Sequence, residues 1–261
     1  MVSWPELGTR VTVRYRRRPG SVPPLTDAVG HLLAVDPMVR VRTKTGAVVE
    51  FAAADVVALR VLTDTPVRTS AIRALEHAAA AAGAGSEQAW LDGWLLRAGP
   101  EAGHAANSAV PLDISAQISS VPAIVAWYGR RGLNPWLAIP DRLLALPPGW
   151  TSEHTERVLV RDVREFAAHQ PDPSIAGSNP PAGAAVTDAP DGIRWVGLSA
   201  PCVCDSRQCE ALLAWGAQHG ATRGYIAVPE HDDAGLAEGL GFRLHHSRRY
   251  LQARPDAWDT F

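Results

Sequence analysis

Lysine is almost missing from this chain. Only Lys44 stands among 25 basic residues, the rest being arginine, a bias that a GC-rich coding sequence explains without invoking function. Cysteine is scarce as well: Cys202, Cys204 and Cys209 are all there is, and an odd number in 261 residues excludes a disulfide scaffold. No apolar run approaches the ~20 residues of a membrane helix. The opening MVSWPELGTR has no cationic stretch followed by an apolar one, so the sequence predicts no signal peptide and a cytoplasmic location. No Ser-His-Asp motif, nucleophile elbow, Walker loop or HExxH helix occurs, which leaves hydrolase and kinase readings without support.

What is present is a globular composition. The chain is 46% hydrophobic and 20% charged, enough to bury a core and to exclude disorder of the whole. The net charge of −2 is unevenly spread. Residues 1–62 carry nine Lys/Arg against five Asp/Glu, and residues 63–261 carry sixteen against twenty-two. A basic excess this small is a weak electrostatic footprint for a nucleic acid. Arg14 and Arg16–Arg18 could touch one, but only Tyr15 interleaves with them, so nucleic acid is not the expected partner.

Residues 1–62 alternate with period two at Arg10 to Arg16, Ala28 to Val35, Val39 to Thr43 and Ala47 to Phe51, with a Lys44-Thr45-Gly46 turn between the last two. A short helical turn and a closing strand follow within Ala54 to Leu62. Several strands in so few residues predict a small closed barrel. Residues 63–168 mix the two periods. A helix capped by Thr69 or Ser70 ends at Gly83, strand runs cover Ala89–Arg97 and Ala106–Ile114, a helix covers Ala123 to Arg131, and strands cover Trp136–Ile139 and Arg157–Val163. Residues 169–192 hold five prolines and three glycines and read as a loop or linker. Residues 193–261 resume as strand (Ile193–Ser199), helix (Arg207–His219), strand (Thr222–Val228), helix (Asp233–Leu240) and strand (Phe242–Leu251), the first of which form a parallel crossover unit.

The strand–helix junction is the first candidate site, because helix N-termini bind phosphates. Asp205 or Ser206 is the expected N-cap, with Arg207 and Gln208 in the first turn. A capped core helix with Leu212 and Trp215 inward explains the same pattern. Cys202, Cys204 and Cys209 give three thiolates where a structural zinc site takes four ligands, with His245-His246 as a candidate fourth and a redox-active pair as the other alternative. Ordinary reduced thiols, and no metal, are the expectation. His245, His246, Arg248 and Arg249 form a basic run on the last strand, either a solvated face or a contact for an anionic substrate or cofactor phosphate. Trp90, Trp94, Trp127, Trp195 and Trp215 are expected to pack in the core.

The run from Arg194 to Leu251 resembles the second half of the GNAT acetyltransferase superfamily: the strand RWVGLSA, the helix CEALLAWGAQHGA, the strand TRGYIAV, and LAEGLGF before FRLHHSRRY. The N-terminal strands with LDGWLLRAG and ANSAVPL resemble a mycobacterial group that carries a small Src-homology-3-like or Tudor-like domain ahead of that region. The resemblance implies an α+β (α/β) fold, a small N-terminal β-barrel followed by a GNAT-like mixed sheet flanked by helices. It implies transfer of an acetyl group from acetyl-CoA to a small-molecule or peptide amine, with no membrane partner. Leu198, Ser199 and Ala200 would meet the pantetheine arm, a strand N–H near Ser199 or Ala200 would polarise the thioester carbonyl, and Ser206, Arg207 and Gln208 would meet the pyrophosphate. Tyr250 and Tyr225 are the candidate acids.

The sequence departs from the superfamily pattern at four places. CVCDSRQC stands where a Q/R-x-x-G-x-G/A loop is usual. Ala237 occupies the position of a common tyrosine, and the usual asparagine is replaced within Glu230–Asp233. Residues 169–192 fall where the superfamily has its first helices and second strand. The alternative reading is a non-catalytic GNAT-fold interaction protein that has lost its cofactor.

Overall fold

The computed structural model describes residues 4–62, 67–83, 87–99, 103–147, 149–168, 180–199 and 205–253. It comprises two compact units, Met1–Pro66 and Val67–Phe261. In the first, β1 (Arg10–Arg16), β2 (Leu25–Ala34), β3 (Val39–Thr43), β4 (Val48–Phe51) and β5 (Val56–Val61) form one sheet in the order β4-β3-β2-β1-β5. Alternation places Val11, Val13, Ala28, Leu32, Val39, Val41 and Phe51 in a common core. Gly30 is required where β2 meets β3, since a Cβ there would lie 2.0 Å from the Arg42 carbonyl oxygen. The basic excess is partly spent on internal pairs: Arg14 binds Asp27 through two nitrogens at 2.8 and 2.9 Å, and Arg40 binds Glu50 at 2.8 Å.

The second unit runs α1 (Thr69–Ala81), β6 (Glu87–Leu91), β7 (Trp94–Ala98), β8 (Ser108–Pro111), α2 (Val121–Gly129), β9 (Trp136–Pro140) and β10 (His154–Asp162). Then come β11 (Ala184–Asp188), β12 (Arg194–Leu198), α3 (Ser206–Gln218), β13 (Arg223–Pro229), α4 (Gly235–Gly239) and β14 (Arg243–Gln252). All nine strands share one sheet, ordered β11-β12-β13-β10-β14-β9-β8-β7-β6. Three local expectations need correction. The single run at Ala89–Arg97 is a hairpin, because Asp92 (φ 45°) and Gly93 (φ 84°) make the left-handed two-residue turn that such sequences favour. Thr69 and Ser70 lie inside α1, whose N-cap is Arg68 with no side-chain bond. The proline-rich stretch contains β11, whose Ala184 is buried against the α3 core and whose backbone pairs with β12.

The strand order hides an internal repeat. In the first half β7 pairs antiparallel with β8, β8 lies parallel to β9 across α2, and β10 follows. In the second, β11 pairs antiparallel with β12, β12 lies parallel to β13 across α3, and β14 follows. The sequences echo each other: Ala-Trp-x4-Gly at Ala126–Gly132 and Ala214–Gly220, Ala-Ile-Pro-Asp at 138–141 and Ala-Val-Pro-Glu at 227–230, HTERVL at 154–159 and HSRRYL at 246–251. Each half gives its last strand to the other. β10 pairs with β13, β14 pairs with β9, and the exchanged strands meet antiparallel at the centre. Equivalent hydrogen bonds close both ends, Glu230 N–H to Thr155 O at 2.8 Å and Asp141 N–H to Ser247 O at 2.9 Å. α2, α3 and α4 cover one face of the sheet through Leu137, Ile139, Leu251, Val196, Ile226 and Phe242, and α1 packs on the other.

Candidate active site

The face under α1 carries the polar residues of the exchanged strands. Period two places His246, Arg248 and Tyr250 of β14 on that face, beside Val158, Glu156 and His154 of β10. The ladder slips between Val158/His246 and Leu159/Leu244, so His245 is an extra, bulged residue. A bulge re-aims side chains, and here the two imidazoles meet with their Nδ1 atoms 2.8 Å apart.

α1 supplies the counter-charge. Its buried stripe, Ile72, Leu75 and Ala78, includes Glu76. The Glu76 carboxylate accepts from His246 Nε2 at 2.6 Å, from Arg248 Nη2 at 2.8 Å and from Arg248 Nε at 3.1 Å. Arg248 Nη1 donates to Glu156 Oε2 and to the Tyr250 hydroxyl, both at 3.1 Å, and Tyr250 Oη donates to Glu156 Oε2 at 3.0 Å. One guanidinium therefore bridges two carboxylates with all three nitrogens, the arrangement that buried charges require.

Burial pushes Glu76 up, but the Arg248 charge and the His246 and Arg248 hydrogen bonds outweigh it and hold the carboxyl at about 2. Burial also pushes Glu156 up, and His104, Arg248 and Tyr250 together bring it below the usual carboxylate range. Both are ionised at neutral pH. Burial raises Tyr250 and Tyr225 to about 12, and burial beside His246 lowers His245 to about 3, leaving its ring neutral.

The network reaches solvent at one end. His104, in the loop before β8, has its Nε2 3.9 Å from Glu156 Oε1, an ion-pair distance rather than a hydrogen bond. Its ring stacks on His154 with centroids 4.6 Å apart and meets Tyr250 edge-on at 4.3 Å. Arg97 of β7 holds that loop from beneath, donating to Ala105 O at 2.7 Å and Ser108 Oγ at 3.0 Å.

The second feature is the unequal length of β12 and β13. Their parallel pairing ends at Leu198/Ile226, whereas β13 continues beside β10 to Pro229, opposite Glu156. A strand spacing of about 5 Å therefore separates Glu156 from the last residues of β13.

The expected site residues are partly brought together. Leu198 ends β12 and is buried in the α3 core. The Ser199 N–H, expected to face a thioester carbonyl, instead donates to Gly183 O at 2.9 Å, because β11 claims that edge of the strand. Ala200, Cys202 and Cys204 lie outside the described residues. Cys209 is buried in the α3 core. Ser206, Arg207 and Gln208 form the exposed first turn of α3, but the Arg207 N–H is taken by the N-cap Asp205 at 2.9 Å. Ala237 is buried in the core and presents nothing to a thiolate. Tyr225 lies over Gly197, where an added Cβ would come 2.3 Å from its hydroxyl. Tyr250 is fully enclosed.

The basic run on β14 is neither a solvated face nor an open anion site: His245, His246 and Arg248 are buried, the last two on Glu76. Trp90, expected in the core, is 57% exposed. Sequence reasoning missed Glu76, Arg97, His104, His154 and Glu156. A lone charge on the apolar stripe of an alanine-rich helix was the available signal for Glu76. The HTERVL/HSRRYL echo was the signal for Glu156.

A family model described as "Rv0428c N-terminal Sm-like domain" matches residues 5–60, and one described as "Probable histone acetyltransferase Rv0428c C-terminal" matches residues 69–183 and 180–251. A relative from Mycobacterium tuberculosis, named "Probable histone acetyltransferase Rv0428c", is 56% identical over 305 residues and is covered completely, as is this chain. Among solved structures, a GCN5-related N-acetyltransferase from Kribbella flavida is similar with a TM-score of 0.44 and 12% identity, over 72% of this chain and 96% of that one. Another from Sphaerobacter thermophilus is similar with a TM-score of 0.32 and 10% identity, over 62% and 80%. With both family models and a full-length relative in agreement, the chain belongs to the family of probable histone acetyltransferases typified by Rv0428c.

Proposed function

We propose that this protein transfers an acetyl group from acetyl-CoA to an amine, carried by a small molecule or a peptide, in the cytoplasm. The observation that carries the reading is the end of the parallel β12–β13 pairing at Leu198/Ile226 in a strand–helix–strand unit, with β13 running on to Pro229 opposite Glu156. A parallel strand–helix–strand unit binds ligands at the carboxyl ends of its strands. β13 beyond Ile226 offers a backbone edge there to a pantetheine arm, and the Arg207 side chain and the Ser206 and Gln208 amides face a pyrophosphate. The relative's name supports the same chemistry. The amine attacks the thioester directly, so the protein's task is orientation and proton transfer.

Three observations favour a second reading, a GNAT-fold binding protein without turnover: Asp205 occupies the helix N-terminus, the Gly183 carbonyl occupies the Ser199 amide, and Tyr225 covers Gly197. Calorimetric titration with acetyl-CoA separates the two. Micromolar binding that weakens in Arg207→Ala is the expected result. Absence of binding at millimolar cofactor would overturn the transferase reading in favour of the second.

A further inference from the structure

We propose that His104 and Glu156 form a dyad in which His104 is the base that deprotonates the acceptor amine and Glu156 orients it. The proposal rests on the acetyl-transfer reading and adds to it a catalytic pair drawn from both sides of the sheet's centre.

The argument begins with which groups are free to act. Every donor nitrogen of Arg248 is engaged by Glu76, Glu156 or Tyr250. His246 is closed between Glu76 and His245. Within Glu156, Oε2 takes both the Arg248 and the Tyr250 hydrogen bonds, so Oε1 is the oxygen left facing outward, and it faces His104 Nε2. The Glu156 side chain is 14% exposed and that of His104 is 31% exposed. His104 and the exposed His154 stacked on it are open to an incoming substrate, and of the two it is His104 that faces Glu156.

A carboxylate on one imidazole nitrogen favours the proton there and leaves the lone pair on the other. Glu156 Oε1 therefore places the proton on Nε2 and presents Nδ1 as the base. The other groups packed on the ring are His154, Trp136 and Tyr250, and Tyr250 is held as a neutral phenol. Catalytic contacts often lengthen in the absence of substrate, so the 3.9 Å separation fits a dyad that tightens on binding. The loop is not left to chance, since half-buried Arg97 fastens it at Ala105.

The step balances as follows. The acceptor ammonium gives one proton to His104 Nδ1, and its freed lone pair forms the C–N bond to the thioester carbon. The C–S bond breaks on collapse, and the departing thiolate takes the second nitrogen proton directly or through water. His104 then returns its proton to solvent.

The test uses the full chain with His104→Gln and Glu156→Gln, read by kcat and kcat/KM and by the nitrogen-15 NMR shifts of the neutral imidazoles, which report the tautomer, His104 being assigned by its loss in the first variant. A base of this kind contributes about 10²–10⁴-fold, so His104→Gln should lose that much in kcat/KM while acetyl-CoA binding persists. Glu156→Gln weakens the acceptor that holds the proton on Nε2, so the His104 nitrogen shifts should move from the Nε2–H tautomer toward a mixture while kcat falls. Full activity in His104→Gln would overturn the dyad. So would unchanged His104 nitrogen shifts in Glu156→Gln, an outcome readable without turnover. If Glu156→Gln fails to fold, His104→Gln, in a loop, still decides. Failure of the unaltered chain to bind acetyl-CoA would instead strike the transferase reading.

Discussion

Glu156 and Arg248 face each other across the β10–β14 ladder, and they also occupy the same position in the two halves of the repeat. Each lies opposite the proline that ends the neighbouring half's third strand, Pro229 for Glu156 and Pro140 for Arg248. Had both kept the same residue, two like charges would meet in a buried centre. Divergence to opposite signs gives a pair at 3.1 Å, with Glu76 bringing α1 onto the same guanidinium.

Removing that guanidinium leaves two carboxylates facing each other with no cation between them. Breaking a buried pair from one side costs about 3–5 kcal/mol. Arg248→Gln should lose that much in urea unfolding, and Arg248→Lys most of it, because one ammonium cannot reach both carboxylates in the same geometry. A loss under about 1 kcal/mol in Arg248→Gln would mean the network contributes little to the fold.

The same carboxylates set the acid limit. Glu76 is held at about 2 against an ordinary 4.5, so it binds fewer protons folded than unfolded and contributes stability above 4.5 that is lost as pH falls toward 2. The amount is about 3 kcal/mol. Glu76→Gln should therefore be clearly less stable than the unaltered protein at pH 7, with the difference shrinking between about pH 4.5 and 2. Chemical unfolding across that range checks it, and a constant difference would rule out the ion pair as its source.

Strand exchange makes the halves interdependent. Without its partner, residues 67–168 would expose the inner edge of β9, and residues 180–253 that of β13, each a buried strand with an unpaired ladder. The fragments should be unfolded alone by circular dichroism and near-native when mixed. Independent folding of either would contradict the exchanged pairing.

Local sequence carried the elements well where a strand or helix satisfies itself. The β3–β4 hairpin, the α1 body and the order β12-α3-β13-α4-β14 all follow from period and punctuation. The exchange was not legible there, because β10 and β14 have the same local pattern whichever third strand they join. The His246–Glu76 contact spans 170 residues, and nothing near His246 in the sequence distinguishes a buried imidazole from a solvated one. β11 was concealed by the prolines around it, although Ala184–Asp188 itself contains none. The repeat, by contrast, was on the page in AIPD and AVPE.

Gly197 and Tyr225 are a matched pair. An alanine in place of Gly197 would put its methyl group 2.3 Å from the phenolic oxygen and 2.4 Å from Cζ. Both atoms belong to a side chain packed against Trp195, with ring centroids 6.2 Å apart, and it cannot move freely. Gly197→Ala should cost about 1–3 kcal/mol by overpacking. Tyr225→Leu removes the obstruction, so the double variant should lose less than the sum of the singles in a thermal-unfolding cycle. Additive losses would show that the methyl group is accommodated elsewhere.

The last prediction concerns the cofactor itself. Asp205 caps α3 by accepting from the Arg207 N–H, and that places a carboxylate on the end of the helix where a pyrophosphate would sit. A negative cap and a negative ligand compete for the same positive helix end, whose effect is about 0.3–1 kcal/mol per charge at exposed sites. Asparagine caps as well as aspartate does, so Asp205→Asn keeps the helix start and removes the charge. Acetyl-CoA should then bind about two- to fivefold more tightly by calorimetry, with the gain falling as salt is raised. Inorganic pyrophosphate alone should rank the two proteins in the same order. Equal affinities for the unaltered protein and the Asp205→Asn variant would mean that the ligand's phosphates lie away from the α3 N-terminus, and the cofactor would then have to be held by other donors than the first turn of that helix.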